Sequence, residues 1–219
     1  MVNALAEYRE KGFILKRGLF SLEEVSEAKS IAVANHEDKE SGVHVWSLEK
    51  MPEGALSMIT HPLMVETLKE LAGDDVEFLS VKPVYKSSEM SYGSPWHQDW
   101  PYWKGSVNKI SAWIALDDAN TGNGCLRTIP GSHLQEVTHE KEDGNFGNRV
   151  SESQIDESKV IDLEMKAGDT LFFSDLLLHA SYPNTSGKDR WSLIPTYRST
   201  AQQDIGVTTG ELWSQTLRI

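Results

Sequence analysis

The chain has 219 residues, of which 39% are hydrophobic and 25% charged; that is enough for one sizeable core and excludes a disordered or fibrous chain. A formal net charge of -12 repels phosphate backbones, so nucleic acid is not an expected partner. The single cysteine, Cys125, rules out an internal disulfide, and no Cys/His spacing for structural zinc is present. Both features fit a reducing compartment. The stretch MVNALAEYREKGFILKRG mixes charges among its apolar residues and has no signal-peptide core. No run approaches the roughly 18 apolar residues of a membrane span. The expectation is a cytoplasmic protein with no membrane partner. No feature of the sequence specifies an oligomeric state.

Taken in chain order, the first third reads as helical. Ser21 and Glu24 have capping-box spacing, and Leu22, Val25, Ala28 and Ala32 then follow one helical face. HPLMVETLKELAG forms a second helix, with Pro62 in its first turn and Gly73 at its end. Between them, SGVHVWSLEKMPEGALSMIT is loop-like or a short strand, and reads as a connector rather than a lid. After Gly73 the period falls to two. VEFLSVKPVY is a strand. In KISAWIALDD, Ile110, Ala112, Ile114 and Leu116 face one way, and Ser111, Trp113 and Ala115 the other. CLRTIPGSH is a short strand ending in a turn. Two more strands flank the Gly168-Asp169 turn, and RWSLIPTYRST is another. Residues 133–160 are polar and acidic, a long excursion between core strands. The pattern predicts a mainly β antiparallel sandwich or barrel with flanking helices, in a single domain over residues 1–219.

Two features carry chemistry. His97 and Asp99 stand two residues apart, so on a strand both side chains would project from one face toward one ion. A second histidine would complete the two-histidine, one-carboxylate arrangement of non-haem Fe(II) oxygenases. Of seven histidines, His36, His44, His61, His133 and His139 read as surface, turn or packing residues. His179 ends a core strand beside a turn, where it could line a barrel mouth. Eleven residues on, Arg190 enters an apolar strand and needs an anionic partner. That partner is either an internal acid or a carboxylate from outside, held through two parallel hydrogen bonds.

Four stretches in order carry a resemblance: YREKGFILKRGLFSLEEV, WHQD, GNGCLRTIPGSH at 122–133, and KAGDTLFFSDLLLHASYPNTSGKDR at 166–190. Together the sequence resembles the phytanoyl-CoA dioxygenase family of Fe(II)- and 2-oxoglutarate-dependent oxygenases. The likeness spans nearly the whole chain and is weakest over 36–60 and in the excursion. It implies a double-stranded β-helix, or jelly roll, with helices supporting one sheet. It implies iron bound by His97, Asp99 and His179, with dioxygen and 2-oxoglutarate as cosubstrates. By the same resemblance Arg190 holds the distal carboxylate of 2-oxoglutarate, with Ser181, Trp113 and Lys82 as further cosubstrate contacts. The implied reaction is hydroxylation of a small molecule, with succinate and carbon dioxide as coproducts; desaturation, cyclisation or epimerisation would use the same ligands. Halogenation is disfavoured because Asp99 is present where related halogenases have a small residue. A jelly-roll binding module without catalysis is the reading from another class. Trp96, Trp100, Tyr102 and Trp103 crowd the first metal motif. They could form a packed wall, line an apolar substrate pocket, or cage a quaternary ammonium group. Arg127 could point inward to a substrate anion or outward to solvent.

Overall fold

A computed structural model describes residues 3–36, 41–89, 92–103, 105–141, 147–205 and 216–219. The first half carries helices α1 (Ala4–Lys11), α2 (Leu22–Ala34), α3 (Ala55–Ile59) and α4 (Pro62–Ala72), with strands β1 (Phe13–Lys16), β2 (Gly42–Val43) and β3 (Trp46–Ser47) between them. The second half opens with β4 (Val76–Lys86), the short helix α5 (Trp100–Trp103), β5 (Lys109–Ala115) and β6 (Leu126–Thr128). It continues through β7 (Glu140–Lys141), β8 (Asn148–Arg149), β9 (Ile161–Leu163), β10 (Thr170–Ser174), β11 (His179–Ser181), β12 (Arg190–Ser199) and β13 (Leu217–Arg218).

Beside a separate two-stranded ribbon of β7 and β8, two facing antiparallel sheets that do not close make up the body of the fold. The larger runs β1-β10-β5-β12-β4-β13, with β2 and β3 also paired to β4; the smaller runs β11-β6-β9. This is the jelly roll with one helix-backed sheet that the sequence implies. Alternation along the strands sorts the cores. Ile110, Ala112, Ile114 and Leu116 face outward, where they pack with Val25, Ala28 and Ala32 of α2 and Met64 and Leu68 of α4. Trp113 and Ala115 face inward, against Leu126 and Leu163 of the smaller sheet. Helix α2 starts as expected. The Ser21 hydroxyl accepts from the Glu24 N–H at 3.3 Å, and the Glu24 carboxylate accepts from the Ser21 N–H at 2.8 Å. Leu22 departs from the expected face: at the first helical position it is 72% exposed. No helix among the described residues is long and apolar enough to cross a membrane.

The sequence leaves two segments open. Within residues 42–47 the short-strand reading is the one that forms: Gly42–Val43 and Trp46–Ser47 pair along the outer edge of β4, Val43 with Val84 and Trp46 with Val81. The described part of the polar excursion is packed. Val137, Val150, Ile155 and Val160 close over Trp96, Leu178 and Ala180 on the outer side of the smaller sheet. Residues 142–146 of the excursion lie outside the described residues.

Candidate metal centre and cavity

His97 and His179 face each other across a two-residue antiparallel bridge. Each backbone N–H donates to the other's carbonyl at 3.0 Å. A pair that exchanges both bonds holds its side chains on one face of the sheet, and the imidazole centroids lie 4.3 Å apart. Asp99 follows at the point where the chain turns into α5, so the strand spacing expected for His97-x-Asp99 holds only at its first member. The turn still brings the carboxylate in: Asp99 Oδ1 is 3.5 Å from His97 Nε2 and 3.9 Å from His179 Nε2. The three ligand atoms lie within 4.8 Å of one another and all three residues are buried. Adjacent ligands on one divalent ion stand about 3 Å apart when each bond is about 2.1 Å, so a small closure suffices.

The tautomers suit an ion. His97 Nδ1 lies 2.8 Å from the Pro95 carbonyl and His179 Nδ1 lies 2.8 Å from the Leu177 carbonyl. A carbonyl can only accept, so each Nδ1 carries the proton and each Nε2 lone pair faces the shared point. Burial, then the charge of His97, lowers the pKa of His179 to about 4, so it is neutral and ready to ligate at neutral pH. For Asp99, burial favours the protonated form. The Lys82 charge and the histidine contacts outweigh it and hold the carboxyl well below its usual range.

Gln98, between the ligands, points the other way and is fully buried. Its amide nitrogen donates to the Gln135 and Leu176 carbonyls at 2.8 and 2.7 Å. Its amide oxygen accepts from Val137 N–H at 3.0 Å, and its backbone N–H donates to His139 Nε2 at 3.0 Å. The excursion is thereby bolted to the back of the metal motif. Gln98→Leu strands these buried groups and is expected to cost roughly 2–4 kcal/mol of stability. It should also weaken metal binding about 10- to 100-fold, as loss of an orienting shell does. Urea unfolding and metal titration of the variant check both.

The triad opens on a cavity of about 310 Å³ between the sheets, lined by all seven residues that the sequence nominated. At its deep end Arg190 is 1% exposed. Its guanidinium donates to the Ser192 hydroxyl at 2.9 Å and to the Gly124 and Asn123 carbonyls at 3.0 and 3.4 Å, and stacks over Trp113 at 5.2 Å. Among the described residues no carboxylate pairs with it. Burial lowers its pKa to about 10, so it stays a cation. Gly124 has φ +93, and a Cβ there would lie 2.6 Å from Lys86 Cδ and 2.8 Å from the Tyr182 carbonyl, which explains why GNG stands at this corner.

Ser181 also lines this end. Its lysine neighbour is Lys86, whose ammonium donates to the Ser181 hydroxyl at 3.0 Å and to the Tyr92 and Tyr182 carbonyls. Lys86 escaped the sequence reading. It lies four residues beyond Lys82 on the same strand face, and spacing alone cannot rank their depth. Lys82 instead lies 3.7 Å from Asp99 Oδ2 and 5.0 Å from the Trp103 ring centroid. Tyr102 and Trp103 line the cavity and Trp100 does not. Trp96 stacks behind it against Arg127, 4.9 Å away, and Arg127 is not a lining residue. No described residue of the excursion lines the cavity.

Near the triad, Asp175 is 2% exposed, and its Oδ1 has no hydrogen-bond partner among the described residues. Burial raises its pKa to about 7, and the Asp99 charge adds to the effect. Its folded pKa thus exceeds its unfolded value, so it penalises folding increasingly as pH rises from about 4 to about 7. Asp175→Asn should match the wild type at pH 4 within about 1 kcal/mol and exceed it by roughly 2–4 kcal/mol at pH 8. Denaturation of the metal-free protein at both pH values tests this.

Known proteins resemble this chain in sequence and in fold. The family profile described as phytanoyl-CoA dioxygenase (PhyH) matches residues 8–192. A methylphosphonate hydroxylase of Gimesia maris is 34% identical over 109 residues, covering 50% of this chain and 40% of that protein. The chain therefore spans well under two thirds of that relative. Among solved structures, the epimerase SnoN, determined with Fe3+, alpha-ketoglutarate and nogalamycin RO, superposes with a TM-score of 0.77 at 21% identity, covering 94% of this chain and 86% of SnoN. The carbocyclase SnoK superposes with a TM-score of 0.71 at 23% identity, covering 97% and 89%. These two likenesses are of fold. The profile match extends from α1 to the third residue of β12 and takes in the triad and Arg190, and on it the chain belongs to the phytanoyl-CoA dioxygenase family.

Proposed function

We propose that the chain is an Fe(II)- and 2-oxoglutarate-dependent oxygenase, built as one domain, that hydroxylates a C–H bond of a small molecule. The observation that carries this reading is the convergence of His97 Nε2, His179 Nε2 and an Asp99 oxygen within 4.8 Å. Three ligands on one side leave the rest of the coordination sphere to cosubstrates. Bound there, iron with 2-oxoglutarate would supply dioxygen activation, with succinate and carbon dioxide as coproducts.

The chain's own residues do the positioning. The histidine Nδ1–H groups stay hydrogen-bonded to the Pro95 and Leu177 carbonyls, which keeps the imidazoles turned to the ion. Arg190 offers a buried cation to the distal carboxylate. Lys86 adds charge beside it, Ser181 a hydroxyl and Trp113 a flat wall. In this assignment Lys86, rather than Lys82, is the lysine of the cosubstrate end. The Phe173, Leu126 and Ile194 side chains of the cavity exclude water from the reacting centre.

The hydroxylase named among the relatives supports oxygen insertion. The epimerase and carbocyclase among the structural neighbours keep a second outcome in view on the same ligands. A binding module without catalysis leaves the two matched tautomers, and a buried Arg190 that no carboxylate among the described residues pairs, without a purpose. The buried free thiol of Cys125 supports a reducing, cytoplasmic setting. The test is iron-dependent conversion of 2-oxoglutarate to succinate under oxygen, followed by mass analysis of products from a substrate screen. A gain of one oxygen supports hydroxylation, and a loss of two hydrogens or no mass change supports the second outcome. No iron-dependent succinate would overturn the reading.

A further inference from the structure

We propose that the substrate is a compact organic anion, its charged group held by Lys82 and its apolar body laid against Val43, Val45 and Trp103. The inference rests on the iron and 2-oxoglutarate reading above and names the substrate class for that site. Three cations line the cavity. Lys86 spends its three donors on three neighbouring oxygens, and Arg190 commits three of its five to another three and keeps two for the cosubstrate carboxylate. Lys82 makes no hydrogen bond among the described residues. Its contacts are Asp99 Oδ2, at 3.7 Å, and the face of Trp103. Its side chain is only 15% exposed, so water compensates it poorly.

Iron makes this imbalance larger. Once Asp99 ligates an ion it is no longer a full counter-ion for Lys82. With Asp99 at minus one, ferrous iron at plus two, the dicarboxylate at minus two, and Arg190 and Lys82 at plus one each, the loaded cavity keeps one positive charge. It keeps two when Lys86 is protonated. A substrate anion balances that excess, whereas a quaternary ammonium group would meet Lys82 as a like charge.

The cavity lip supplies the second half. Val43 and Val45 line the cavity yet are 44% and 38% exposed, an apolar surface that the described residues leave open. Val43 pairs with Val84, two residues along β4 from Lys82, which is about 7 Å along a strand. That separation between a charged head and an apolar wall suits an acid of a few carbons.

Hexanoate and hexanamide, equal in length and different in charge, are the probes. Their dissociation constants are measured anaerobically on protein saturated with Fe(II) and 2-oxoglutarate. Hexanoate is expected to bind about 10- to 100-fold more tightly than the amide, the range of one charge-assisted hydrogen bond. Lys82→Met should erase the preference and Lys82→Arg should keep most of it, with the charge-transfer band of bound cosubstrate present in both. Equal binding of the probes, no binding of hexanoate, tighter binding of hexyltrimethylammonium, or a preference that survives in Lys82→Met would overturn the proposal and leave the cosubstrate reading intact. Absence of the band in the unaltered protein would overturn both.

Discussion

Asp99→Ala is expected to leave a folded protein that binds ferrous iron at least about 100-fold more weakly. Loss of a residue that merely orients a ligand costs 10- to 100-fold, and here the only anionic ligand is removed. Two imidazoles remain, and beside them Lys82 loses the carboxylate 3.7 Å away. An unpaired ammonium then repels the incoming ion. The fold should persist, because Asp99 belongs to none of the apolar clusters and its backbone carbonyl still accepts from Tyr102 N–H. Anaerobic calorimetry with Fe(II), paired with circular dichroism, gives both numbers. Affinity within a few-fold of the wild type would mean that the ion, if bound, sits elsewhere.

Arg190→Met is expected to spare iron and abolish cosubstrate affinity. Truncating one partner of a buried, hydrogen-bonded charge pair costs roughly 2–5 kcal/mol, or between about 30-fold and a few thousand-fold in dissociation constant. The guanidinium also braces the Gly124 and Asn123 carbonyls, so some stability will be lost with it. Retained Fe(II) affinity separates that loss from unfolding. A 2-oxoglutarate titration of the Fe(II) protein, followed by its charge-transfer absorption, reads the effect. Arg190→Lys should recover only part, since an ammonium cannot reproduce the planar fork that meets a carboxylate. Unchanged cosubstrate affinity in Arg190→Met would move the dicarboxylate to another part of the cavity.

Much of this architecture is written in local pattern. The period-two alternation of KISAWIALDD predicts two opposed faces, and the structure sets Ile110, Ala112, Ile114 and Leu116 in one cluster and Trp113 and Ala115 in another. The Ser21–Glu24 box and Pro62 fix two helix starts because capping is a short-range interaction. What depends on distant partners is not legible. Residues 42–47 read equally as loop or short strand, because two-residue strands leave no period to read, and the free edge of β4 decides for strand. Gln98 looks like a spacer between ligands, yet its amide meets Gln135, Val137 and Leu176, contacts made only after folding. Lys82 and Lys86 share one strand face. Which stands by the triad and which by Arg190 is decided by the register of β4 on β12, where Lys86 pairs with Arg190 and Lys82 with Ile194.

Iron-edge anomalous diffraction from crystals loaded anaerobically with Fe(II) addresses the centre itself. One strong peak is predicted at bonding distance, about 2.0–2.3 Å, from the Nε2 atoms of His97 and His179 and a carboxylate oxygen of Asp99. A peak away from these atoms, or none at full iron loading, would contradict it.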